Sequence, residues 1–156
     1  MDDLVQRDGL FYKKFTDVPF TGEIFGLENG RFKNGELEGF WKYYYKDGQL
    51  SRKFNYKNNK LDDLWETYHK NGQLKEKGNY KDYKREGLWE TYYEDGKLSS
   101  NRNYKDGKRD GLWETYYENG QLKTKGNYKE GIREVPMEYY DEDGKLLFKN
   151  DTNDEK

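Results

Sequence analysis

The amino-acid sequence predicts an all-β fold: an elongated, single-layer antiparallel meander built from 24-residue β-hairpin repeats. Three observations lead there. Trp41, Trp65, Trp89 and Trp113 recur at a constant step of 24 residues. A ladder of turn dipeptides keeps the same step, at Asp47-Gly48, Asn71-Gly72, Asp95-Gly96, Asn119-Gly120 and Asp143-Gly144. Columns of Leu50, Leu74, Leu98, Leu122 and Leu146 and of Tyr56, Tyr80, Tyr104 and Tyr128 follow it as well. A period of this size marks stacked supersecondary units, and Asx-Gly between alternating aromatic runs is a strong hairpin signal. The pattern has period 2, with glycine every few residues, which excludes helix in the repeats.

Composition agrees with a thin core. The chain has 156 residues, one ordinary domain by length, with 31% hydrophobic and 38% charged residues. Apolar content well under the usual ~45–50% would suit a disordered chain. The 18% aromatic content, from 16 Tyr, 8 Phe and 4 Trp, argues against disorder, because each ring buries a large area. Lys and Arg number 29 against 31 Asp and Glu, a net charge of −2 that lacks the basic excess of phosphate-neutralising proteins and disfavours a nucleic-acid partner. Cysteine is absent, so disulfides and thiolate metal sites are excluded. The opening residues are acidic where a signal peptide is basic, and no run approaches the ~20 apolar residues of a membrane span, so a cytoplasmic location is expected.

Along the chain, residues 1–38 read as a capping segment with a short partial repeat. Phe11, Tyr12, Phe15, Val18 and Phe20 are expected to cover the first hairpin. Asn29-Gly30 supplies a turn whose second arm is cut short before Phe32-Lys33-Asn34-Gly35. Residues 39–148 are the repeats. In the unit from Gly111 to Tyr128, a type I′ turn at Asn119-Gly120 sets Tyr117 opposite Leu122, Tyr116 opposite Lys123, Thr115 opposite Thr124, Glu114 opposite Lys125 and Trp113 opposite Gly126. One face then packs, with the Trp113 ring over Gly126, and the other carries Glu114, Tyr116 and the lysines. A type I turn with a G1 bulge is the alternative, and would shift the pairing by one and mix the faces. The linkers from Lys57, Lys81, Lys105 and Lys129 are rich in Asp, Asn, Gly and Lys and read as a second, longer reversal. Each unit adds two strands, about 10 Å, for a sheet of roughly ten strands. In the last unit Met137 takes the tryptophan position beside Pro136, which suits an edge. Residues 149–156 read as a disordered polar tail.

The run Tyr104-Lys105-Asp106-Gly107-Lys108-Arg109-Asp110-Gly111-Leu112-Trp113, with the following Asn119-Gly120 turn, resembles the MORN repeat, and resembles its variant form more closely. The resemblance covers about residues 19–148. Bacterial proteins built from this variant, with a segment like Pro19-Phe20-Thr21-Gly22, are labelled YwqK-family antitoxins. The resemblance implies a ribbon of β-hairpins and a protein-binding role, of the kind in which an antitoxin neutralises a partner. Asp63 and Val135 depart from its glycine before the strand, and Asn59 and Tyr83 from its linker glycine, so these linkers are expected to bend differently.

Catalytic chemistry finds no support. His69 is the single histidine and stands where other units have Tyr45, Tyr93 and Tyr117, so a packing role beside Leu74 is expected. Asp62-Asp63 and Glu142-Asp143 lie in turns, Asp141 to Gly144 lacks EF-hand spacing, and Gly107 and Gly111 sit in reversals rather than between strand and helix. No enzyme activity, metal or cofactor is expected. The partner-binding candidates are the tyrosine column Tyr44, Tyr68, Tyr92, Tyr116 and Tyr140, since tyrosine is enriched at binding surfaces. Residues that break the repeat join them, chiefly Arg52 and Arg102, with Tyr43 and Phe54. The expected partner is another protein, a toxin in the antitoxin reading. A peripheral membrane or phosphoinositide role and self-association through sheet edges are the alternatives.

Overall fold

The computed structural model describes residues 3–151. Among them there are fourteen strands and no helix. A first hairpin pairs β1 (Leu4–Arg7) with β2 (Leu10–Lys13). The remaining twelve strands form one sheet in chain order: β3 (Gly22–Ile24), β4 (Glu28–Lys33), β5 (Glu36–Tyr44), β6 (Leu50–Lys57), β7 (Lys60–Tyr68), β8 (Leu74–Lys81), β9 (Lys84–Tyr92), β10 (Leu98–Lys105), β11 (Lys108–Tyr116), β12 (Leu122–Lys129), β13 (Ile132–Tyr140) and β14 (Leu146–Asn150). All neighbours are antiparallel, and at ~4.8 Å per strand the row spans roughly 50 Å. The sheet exceeds the expected ten strands because the partial first repeat contributes β3 and β4 as a paired hairpin. Residue 38 falls inside β5, and Lys149 and Asn150 belong to β14; of the expected tail, residues 152–156 lie outside the described residues.

Two kinds of reversal alternate, and their types are the reverse of the expectation. At the Asx-Gly turns only glycine has positive φ, as at Gly72 (85°) and Gly120 (87°), so these are type I turns closed by a G1 glycine rather than type I′. The Asn or Asp is there for its side chain: Asn119 Oδ1 accepts from Gln121 N at 2.9 Å, and Asn71 Oδ1 from Gln73 N at 3.0 Å. The G1 turn shifts the pairing, so that Tyr116 faces Leu122. A bulge at Lys123 then restores it, with Thr115 opposite Thr124 and Trp113 opposite Gly126 as anticipated. The faces are therefore unmixed.

The linkers, by contrast, are tight two-residue turns. Asn58 and Asn59 have φ of 50° and 63°, Asp82 and Tyr83 of 48° and 65°, as type I′ requires. Asn59 and Tyr83 thus bend as the glycines of other units do. Two residues before each tryptophan lies a bulge at positive φ, taken by Gly39 (71°), Gly87 (69°), Gly111 (101°) and Asp63 (61°). Val135 does not adopt that conformation; its bond to Pro136 is cis. Pro136 sits in β13, one strand in from the edge. The β14 ladder begins only at Met137, so the missing N–H costs no pairing.

One sheet face, here the Trp face, carries the core. Trp41 and Trp89 are each 1% exposed although no second layer covers them. Their rings lie back across the preceding linker, over a glycine of the preceding strand: Trp41 over Gly30 and Trp89 over Gly78, with Met137 over Gly126. A Cβ on Gly78 would come within 2.7 Å of Trp89 Cγ and closer still to other ring atoms. Trp113 therefore does not lie over Gly126. In the alternate units that seat is filled, and the residue stacks: Phe54 on Trp65 at 4.0 Å and 13°, Arg102 over Trp113 at 4.9 Å. Trp65 and Trp113 stay half-buried. The true structural period is consequently 48 residues, Gly seats alternating with stacking seats.

At the N-terminal end Phe11 and Phe20 close over fully buried Phe32, at 4.8 and 5.6 Å between centroids. Tyr12 packs under Arg7 instead, and Phe15 and Val18 are exposed.

Two stability measurements follow. Trp89→Ala should cost about 3–5 kcal/mol in denaturant unfolding, and Trp113→Ala distinctly less; equal losses would contradict the alternating seats. Asp63→Gly, which relieves an L-residue at positive φ, should stabilise by roughly 1 kcal/mol, and a loss there would show that Asp63 is favoured in place.

Candidate protein-binding surface

The face opposite the tryptophans carries three parallel rows. The central row reads Lys42, Lys53, Glu66, Lys77, Glu90, Asn101, Glu114, Lys125, Glu138 and Lys149 in strict cross-strand register. From Lys53 onward charges alternate except at the neutral Asn101, and ion pairs close at 3.2 Å (Lys53–Glu66), 2.6 Å (Lys77–Glu90), 3.3 Å (Lys125–Glu114) and 3.4 Å (Lys149–Glu138). Such half-exposed pairs each contribute little, ~0.2–1 kcal/mol. Their effect is to set the register and to keep the face neutral on average.

The tyrosine column forms the second row. Tyr68, Tyr116 and Tyr140 donate their hydroxyls to Glu66, Glu114 and Glu138 at 3.0, 2.8 and 2.8 Å, each two residues back on the same strand. Tyr92 lies beside the Lys77 ammonium, 5.8 Å from the ring centroid. Tyr44 has no such carboxylate, because Lys42 stands where other units have Glu. Burial, then the facing Glu66, pushes the Tyr68 phenol up to about 12; burial, then Glu114, does the same for Tyr116. The hydroxyl bond to Glu138 raises Tyr140 and, in return, lowers the Glu138 carboxyl.

The third row lies between the bulge and each tryptophan: Phe40, Leu64, Leu88 and Leu112, with Asn55, Asn79, Asn103 and Asn127 opposite. Phe40 is 57% and Leu88 46% exposed. Sequence reasoning did not single out this position. Its signal was available, since strand alternation turns any apolar residue before Trp away from the core.

The candidate residues divide between faces. All five tyrosines share the charged face, whereas Arg52 and Arg102 lie on the Trp face, Arg52 exposed 5.7 Å over Tyr43 and Arg102 half-buried over Trp113. His69 stands in the position of Tyr45, Tyr93 and Tyr117, as the repeat predicts, and makes their hydrogen bond. Its Nε2–H donates to the Tyr92 carbonyl at 2.9 Å, the bond that Tyr45, Tyr93 and Tyr117 make to Tyr68, Tyr116 and Tyr140 at 2.8, 2.6 and 2.9 Å. This column stitches each hairpin to the next. Among the described residues no group of three or more His, Asp or Glu is placed to hold a metal ion, and none of their helices is long and apolar enough to cross a membrane. A shallow groove between neighbouring linker turns is lined by Asn58 and Asp82 of the turns and by Lys57, Lys60, Asp62 and Lys81 of the strands that flank them.

With hairpins, bulge glycines and stacked tryptophans in place, the comparison with known families is direct. The MORN repeat variant model matches residues 37–58, 64–82, 85–106 and 109–130. The chain belongs to the MORN repeat variant family. MORN repeats form non-catalytic scaffolds that bind proteins or membranes, and the two open faces described above are the surfaces this chain offers. No curated protein matches the sequence.

The tyrosine row has a pH signature. Phenols held up to about 12 in the folded chain ionise near ~10 when unfolded, so the unfolded state releases its protons first. Their contribution is intact below pH ~10 and is lost as pH rises towards about 12. Tyrosinate absorbance should show a late-ionising fraction that shrinks in Tyr68→Phe and Tyr116→Phe. A single transition near ~10 for all tyrosines would contradict the Glu–Tyr coupling.

Proposed function

We propose that this chain is a non-catalytic protein-binding scaffold of the antitoxin or immunity kind, which neutralises a partner protein by covering its active surface. The observation that carries the reading is the open charged face, where a row of half-buried tyrosines and a row of exposed Phe40, Leu88 and Leu112 flank a charge-balanced ladder. Aromatic and aliphatic groups beside mixed charges suit a specific protein surface. A sheet roughly 50 Å long can supply the ~800 Å² per partner of a standard interface. The resemblance to antitoxin-labelled proteins supports the finer role. The alternating signs of the ladder and the net charge of −2 speak against a phosphoinositide surface as the main partner.

A second reading is favoured by one observation. Among the described residues no strand pairs with the outer edge of β14, and Leu146, Leu147 and Phe148 on it are exposed, the usual setting for strand-to-strand self-association.

Affinity capture from the native cell, followed by co-expression with the neighbouring gene product, tests the proposal. A toxic partner should be retained and neutralised. Leu88→Glu with Leu112→Glu should weaken retention by about tenfold or more without lowering the melting temperature. Retention unaffected by that pair would remove the charged face from the interface. Salt-sensitive binding to anionic vesicles with no protein retained would replace the proposal with the membrane role. Concentration-dependent sedimentation abolished by Leu147→Lys would support the edge reading instead.

A further inference from the structure

The Trp face is electrically lopsided. Between β10 and β14 its strand positions hold Arg102, Arg109 and Arg133 and no carboxylate. Among the described residues none of these three arginines has an ion-pair partner, whereas Arg85 on the same face is held by Glu76 at 3.3 Å. Arg102 and Arg109 are held by rings rather than by acids, and Arg133 stands in register beside them. Arg102 and Arg109 both lie over Trp113, their guanidinium carbons 4.9 and 4.4 Å from the ring centroid. Arg109 also lies 5.0 Å over Tyr128, which is the register partner of Arg133. The Nε of Arg102 is buried with no acceptor among the described residues. In a molecule of net charge −2 this is a local excess of positive charge.

A guanidinium stacked on an aromatic ring keeps its plane fixed and presents its N–H edge as a fork. That fork matches a carboxylate, and stacking lowers the entropy lost when the pair forms. The strip crosses four strands, about 14 Å. Carboxylates on alternate residues of an extended peptide are about 7 Å apart, so three of them cover the same span. The rim of the strip argues against a broad polyanion. The groove beside it is charge-balanced, Lys105, Lys108 and Lys129 standing against Asp106, Asp110 and Glu130, so it extends no basic surface for the phosphates of a nucleic acid or a lipid surface.

We propose that the Arg102–Trp113–Arg109–Tyr128–Arg133 strip is the seat of an acidic, extended segment of a partner protein, its carboxylates held by the guanidiniums and its backbone lying on the rings. The proposal rests on the reading of the chain as a protein-binding scaffold and adds a second, chemically distinct contact to it.

The probe is a fluorescein-labelled heptapeptide of alternating aspartate and serine, titrated into the full chain by anisotropy and by NMR of the indole N–H signals. Binding should be saturable, weaken with salt, and shift the Trp113 indole while leaving Trp41 in place. Arg109→Gln with Arg133→Gln should weaken it about tenfold or more, while Lys14→Gln, which removes an exposed cation at the far end of the chain, leaves it unchanged. An unmoved Trp113 signal, equal weakening by Lys14→Gln, or equal competition by inorganic phosphate or anionic vesicles overturns the proposal. If the double variant fails to fold, the Trp113 shift in the unaltered chain decides. Loss of peptide binding with the natural partner still captured through Leu88 and Leu112 would remove the arginine seat and leave the scaffold reading intact.

Discussion

A single sheet with no second layer can bury a tryptophan only by laying its ring across a neighbouring strand, and that strand must either vacate the space or stack. Everything else in this molecule accommodates that constraint. Gly30 and Gly78 vacate it for Trp41 and Trp89; Phe54 and Arg102 stack on Trp65 and Trp113. The bulge before each tryptophan steepens the local twist and aims the ring at its seat. The type I′ linkers and G1 turns then return the chain one strand further on. Tyr45, His69, Tyr93 and Tyr117 tie each hairpin to the next through a backbone carbonyl, so hairpins that would be marginal alone are stabilised by their neighbours.

Because the core is one side chain thick, both faces remain close to solvent, and the two faces carry different chemistry. The charged face is nearly periodic: lysines and glutamates alternate except at Asn101, Tyr68, Tyr116 and Tyr140 are tethered to glutamates, and leucines protrude. The Trp face is where units differ, since its seats are filled by Gly, Phe or Arg according to position. Periodicity provides the scaffold, and departures from it create individuality. Asn101 shows the same principle on the other face, standing where the ladder otherwise has lysine and leaving its Oδ1 without a partner between Glu90 and Glu114.

Much of this was legible in the residues. Strand positions, the meander and the body register from Trp113 to Thr115 follow from alternation and from the 24-residue step, because a slip of one residue would turn every side chain over. Turn types were not legible. Asn119-Gly120 fits a type I′ turn locally, yet the compensating bulge at Lys123 lets a type I turn keep the same faces, and local propensity cannot see a bulge several residues away. Nor could Asn59 or Tyr83 show that a non-glycine would accept positive φ there. The tyrosine row was found by position, but its glutamate partners were not, since they depend on which same-face neighbour each hydroxyl meets. Arg109 and Arg133 were hidden in linkers that looked like solvated loops and proved to be strand.

The seating of tryptophan over the preceding strand's glycine is most directly tested by a double-mutant cycle between Gly78 and Trp89. Gly78→Ala should be strongly destabilising in the natural chain and nearly neutral once Trp89 is alanine, with no such relief when Trp65, the register partner of Gly78, is replaced instead. Equal cost of Gly78→Ala in all three backgrounds would contradict the account.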